Sequence, residues 1–170
     1  MHANVELKAR DRDPGRTLER ALAAGAVDAG LLEQRDTYFA VARGRLKLRE
    51  ERGQPATLVA YARADACAAR PSEYELVPVD DPQALLRALE AVLGVRGVVE
   101  KTRRLLLWEQ TVRLHLDDVH GLGRFVEIEA VVATGSDRAC EHEQVARLAT
   151  AIGIAGADLV AASYVDLCGG

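Results

Sequence analysis

Three cysteines, Cys67, Cys140 and Cys168, are too few and too scattered to form a framework: their number is odd and no two stand at a C-x-x-C spacing. Neither a disulfide scaffold nor a zinc-ligand set is indicated, and reduced thiols in a cytoplasm are the simplest expectation. Long apolar runs are missing too. None approaches the roughly 20 residues a membrane span needs, and the first residues lead straight into a strand rather than a leader, so a soluble cytoplasmic protein with no membrane partner is expected. Positive charge is not in excess. A net charge of -4 argues against a nucleic-acid partner and directs the search to local patches. Repeats, linkers and low-complexity tracts are absent, so residues 1–170 read as a single domain, and at 49% hydrophobic content it can bury a core without staples.

What is present is a rhythm: ionisable residues recur at every second position of strand-like segments, with aliphatic residues between them. Glu6, Lys8 and Arg10 flank Leu7 and Ala9; Lys47 and Arg49, Lys101 and Arg103, and Glu127 and Glu129 repeat the pattern. Successive strand residues face opposite sides of a sheet, so each segment has one ionic and one apolar face. Eight such segments are legible, at 3–10, 31–39, 45–51, 56–63, 72–79, 97–108, 111–117 and 124–132. Short turns join most of them, including Glu109-Gln110, so antiparallel pairing follows. Asp13 and Pro14 open a helix that ends near Gly25, and further helices are expected at 81–93, 137–152 and 157–167.

Eight antiparallel strands can close into a barrel, or stay an open sheet with helices on the apolar face and charges in water. Pattern alone leaves both open. In the barrel, the ionic faces line the interior, an arrangement that is costly without water, metal and counter-ions.

Several segments in order carry a resemblance to a known family. Asn4-Val5-Glu6-Leu7-Lys8 resembles the E-x-E-x-K signature of CYTH domains, the triphosphate tunnel metalloenzymes that include class IV adenylate cyclases, thiamine triphosphatases and tripolyphosphatases. Agreement continues through Gln34–Phe39, Arg45–Glu50, Lys101-Thr102-Arg103, His115-Leu116-Asp117, Gly121–Glu129 and Ser163-Tyr164. The resemblance implies an α+β fold: an eight-stranded antiparallel β-barrel, or tunnel, with a charged interior and helices packed outside.

It also implies roles that side-chain chemistry permits. Glu6, Glu127, Glu129 and Asp117 are the metal candidates, as hard oxygen ligands suited to Mg²⁺ or Mn²⁺. Lys8, Arg10, Lys47, Arg49, Arg63, Lys101, Arg103 and Arg113 would grip a triphosphate. Asp117 and His115 are candidates for a catalytic base or water-orienting group, with Asp117 ranked first; a structural histidine is the alternative for His115. Tyr38, Phe39 and Trp108 read as packing groups.

The expected partner is a small-molecule triphosphate: ATP, tripolyphosphate or thiamine triphosphate, with a homodimer admitted as the oligomeric state. The leading activity resembles class IV adenylate cyclase, forming cyclic AMP and pyrophosphate; triphosphate hydrolysis and non-catalytic binding of polyphosphate or nucleotide are the alternatives. Asn4 stands where the family signature has its first glutamate, which puts a second metal in question or moves its coordination to Asp117 and the Glu127/Glu129 pair. No lysine follows Lys101, whereas some relatives place one near the C-terminus.

Overall fold

Alternation along the strands closes into a barrel. A computed structural model describes residues 2–63 and 66–169, apart from the Arg63 side chain. The strands are β1 (His2–Arg10), β2 (Val27–Phe39), β3 (Arg45–Glu51), β4 (Ala56–Arg63), β5 (Arg70–Val79), β6 (Val95–Trp108), β7 (Val112–Val119) and β8 (Gly123–Val131). They close in the order β1-β5-β4-β3-β2-β6-β7-β8, with every neighbouring pair antiparallel and β8 returning to β1 through Glu6↔Glu129 and Lys8↔Glu127. Closure leaves no sheet edge to attract another chain.

Register decides which residues go inside. The aliphatic set Val5, Leu7, Leu106, Leu114, Val126 and Ile128 points outward. It packs under helices α1 (Pro14–Ala23) and α3 (Ala139–Ile152), through Ala21, Val145, Leu148 and Ile152. A second outer patch, Phe39, Leu48 and Ala56, lies under the Leu85, Leu86 and Leu89 stripe of α2 (Pro82–Leu93). These contacts use the apolar face of every strand they touch, so the ionic face can only turn inward.

Local chemistry sets the element ends. Asp13 accepts a hydrogen bond from the Arg16 amide at 3.1 Å and Asp81 one from Ala84 at 2.9 Å, with a proline following each cap. The β6–β7 turn spans the three residues Glu109 to Thr111, with Glu109 and Gln110 in the left-handed region at φ 47° and 60°.

Two expectations need correction. β2 begins at Val27, not Leu31: Val27 to Gly30 pair with Leu105 to Leu107 of β6 across a register shift between Asp28 and Gly30. The helix expected at 157–167 is broken. A 3₁₀ turn (Gly156–Asp158) gives way to extended chain, where Leu159 bridges Ala9 and Val160 donates to the Lys8 carbonyl, and only Tyr164–Cys168 is helical (α4). Backbone pairing with β1 beyond the start of β5 outweighs helix propensity there. The capping box of Ser163 and Asp166 then starts α4 at the barrel's end.

Candidate active site: a charged bore closed at one end

Lumen-facing residues at one end of the strands, Tyr38, Val99, Val119 and Phe125, pack against Tyr164 and Val165 of α4, which closes that end of the bore. From there a cavity of about 290 Å³ runs toward the other end, where exposure rises from 2% for the Lys101 side chain to 23% for Arg49 and 35% for Arg113. Among the described residues its wall carries twice as many cations as carboxylates: Lys8, Lys47, Arg49, Lys101, Arg103 and Arg113 against Glu6, Glu127 and Glu129.

Two buried aspartates lie behind this wall and organise it. Asp36 on β2 takes Arg49 through both oxygens at 2.8 Å and Lys47 at 2.8 Å. Burial alone would raise its carboxyl, but Arg49 and Lys47 hold it well below the usual carboxylate range. Asp117 on β7 plays the same part for β6. It accepts both Arg103 nitrogens at 2.6 Å, Lys101 at 3.3 Å and the Tyr164 hydroxyl at 2.9 Å. The Tyr164 ring also lies under the Lys8 ammonium at 3.8 Å. Burial, reinforced by Arg49, draws the Lys47 ammonium down to about 7, against which Asp36 works.

On β8, Glu127 meets Lys8 at 3.1 Å and Arg103 at 2.6 Å, and Glu129 meets Arg113 at 3.1 Å. Burial would raise Glu127, yet Lys8 and its neighbours hold it well below its ordinary value. Between these carboxylates sits His115, its Nδ1 3.8 Å from Glu127 and 3.7 Å from Glu129. Burial and the nearby Arg103 lower its pKa and favour the neutral ring. The three side chains place one donor atom each within 4.8 Å of one another, in the compass of a single cation, and their carboxylate oxygens and imidazole nitrogen suit a divalent metal. In the strand ring β8 stands opposite β3, so this cluster faces Lys47 and Arg49 across the bore.

Most of the residues named from sequence thus converge on one cavity. Glu6 lines it and lies 3.6 Å from Arg70. Arg10 does not: exposed at the end of β1, it stands over the Phe125 ring at 5.0 Å. The Arg63 side chain lies outside the described residues. Asp117 is ringed by cations and is joined to Glu127 through Arg103, whose Nη2 stands 2.6 Å from an oxygen of each. Trp108 is a packing group on the outer wall and donates to the Ala24 carbonyl at 2.9 Å, and Phe39 is buried under α2. Tyr38 packs at the closed end but also borders the cavity. Asp36 was not among the residues expected to build the site, although its place between Gln34 and Tyr38 puts it on their face of β2.

A model of the CYTH domain matches residues 2–164. The chain belongs to the CYTH domain family. Solved CYTH-like structures share its fold at low identity. The PH1012 protein of Pyrococcus horikoshii OT3 aligns over 96% of this chain and 98% of its own at 22% identity and a TM-score of 0.86. A Vibrio parahaemolyticus protein described as a candidate adenylate cyclase aligns over 98% of each chain at 19% identity and 0.77. A Hippeastrum protein, described as a candidate adenylyl cyclase with a dominant triphosphatase activity, aligns over 98% of this chain and 94% of its own at 16% identity and 0.67. No curated protein matches. Among the described residues no helix is long and apolar enough to cross a membrane.

Proposed function

We propose that this CYTH protein binds the triphosphate of a small molecule in the bore with a divalent metal, and that the leading reaction is cyclisation of ATP to cyclic AMP and pyrophosphate. The observation that carries the reading is the wall: a surplus of preorganised cations faces a carboxylate–imidazole cluster across a blind cavity. Phosphoryl chemistry asks mainly for positioning and charge neutralisation. Lys8 and Lys101, over the Tyr164 ring, and Lys47, over the Tyr38 ring, stand against the closed end and would hold the terminal phosphate. Arg103 from β6 and Arg49 from β3 would hold the middle of the chain. Glu127 and Glu129, with His115 at their side, would hold a divalent metal, which would supply neutralisation of the phosphate charge.

That order leaves the α-phosphorus nearer the open end. Leu32, Leu76, Leu105 and Tyr74, which also border the cavity, offer an apolar surface for a nucleoside. Hydrolysis of a triphosphate is the second reading, supported by the triphosphatase activity named for the Hippeastrum neighbour. Incubation with Mn²⁺ or Mg²⁺ and ATP, then tripolyphosphate, tests both. Cyclic AMP with pyrophosphate is the expected outcome, orthophosphate release favours the second reading, and no product from either substrate overturns both.

A further inference from the structure

His115 is 5% exposed, and its Nδ1 is buried with no hydrogen-bond partner among the described residues. An unsatisfied ring nitrogen inside a protein costs free energy, so its surroundings need an explanation. Its two acceptor neighbours, the Glu127 and Glu129 oxygens at 3.8 and 3.7 Å, are too far for hydrogen bonds. The separations instead lie within the range spanned by donors that share one ion. With metal–ligand bonds of about 2.1 Å, two donors on one ion stand about 3 Å apart in adjacent positions and about 4 Å apart in opposite ones. A second orphan lines the same cavity: the Asn4 Oδ1 is buried with no hydrogen-bond partner among the described residues, two residues before Glu6, which faces Glu129 in the β1–β8 register.

We infer that His115 is itself a metal ligand, so that the cation sits in a mixed nitrogen–oxygen site made by His115, Glu127 and Glu129 and is selected as Mn²⁺ over Mg²⁺. This deepens the proposed function and rests on it. Two features of this chain set the preference. Asn4 contributes a neutral amide oxygen where a carboxylate would strengthen the pull on a hard ion. Imidazole suits later transition metals better than Mg²⁺, which favours oxygen ligands and retains its waters. Arg113 bonds Glu129 through Oε2, while the oxygen facing His115 is Oε1, so the carboxylate can serve both partners. His115 therefore makes the site discriminate between metals and does not act as the base.

Pulsed EPR of Mn²⁺ added to the full chain without substrate tests the assignment. The expected spectrum shows ¹⁴N coupling from a directly bound imidazole. In His115→Gln that coupling is lost and Mn²⁺ affinity falls about tenfold or more, while Mg²⁺ affinity, read by competition, changes much less. Bound Mn²⁺ without nitrogen coupling in the unaltered protein, coupling that persists in His115→Gln, or equal loss of both metals overturns it. The wild-type spectrum alone decides the matter should the variant fail to fold. Tripolyphosphate titrated into the same samples separates the two readings: binding without nitrogen coupling removes the ligand assignment alone, and failure to bind removes the functional reading.

Discussion

Asp117 and Arg103 stand directly opposite in the β6–β7 register and meet through two parallel hydrogen bonds of 2.6 Å, both side chains almost wholly buried. A planar guanidinium held at both ends has one orientation. This bond aims Arg103 at Glu127 and the cavity. It also occupies both Asp117 oxygens, with Lys101 and Tyr164 completing the ring of donors around them.

Asp117→Ala leaves Arg103 and Lys101 buried without their counter-charge. The expected loss is about 3–5 kcal/mol of stability, read as a lower urea midpoint. A midpoint within error of the parent chain contradicts the assignment of Asp117 as the organiser of this wall.

Tyr164→Phe keeps the ring under Lys8 but removes the hydroxyl from Asp117. The expected cost is about 1 kcal/mol with an unchanged denaturant slope. Equal stability of the two chains would show that the bond at the closed end contributes nothing.

Lys47 has a clear pH signature. Its folded pKa of about 7 lies below the ordinary 10.5, so between these values the unfolded chain binds more protons, and this group makes stability rise with pH across that window. Below about pH 7 its contribution is flat and least favourable. A bound anion favours the charged ammonium, so near pH 8 the wild type should take up more protons on binding tripolyphosphate than Lys47→Met does, measured by calorimetry in buffers of different ionisation enthalpy. Identical uptake in the two chains contradicts the phosphate contact.

Much of this organisation was legible in the sequence, and the gaps have physical causes. β3 and β4 begin and end as expected, because strict alternation is bounded by turn residues at Gly44 and at Gly53–Pro55. The start of β2 was hidden because Asp28 and Gly30 resemble a turn, and only pairing with β6 makes them a strand. The break at Leu159 has the same source: a distant strand supplies its partner. Facing could be read from period two, which brought Glu6, Lys8, Arg49, Arg103, Glu127 and Glu129 to one cavity. Partnership could not. That Asp36 serves Arg49 and Asp117 serves Arg103 follows from cross-strand register, which no single segment contains.

The bore as an anion site is tested most directly at Arg49, which is fixed by Asp36 yet is more exposed to the cavity than Lys101 or Arg103. Calorimetric titration of tripolyphosphate into the Mn²⁺-loaded protein should give one site per chain, and Arg49→Ala should weaken it by about 1.5–3 kcal/mol, the worth of hydrogen bonds to a charged group. No binding by the unaltered chain, or the same affinity in both, would contradict the account.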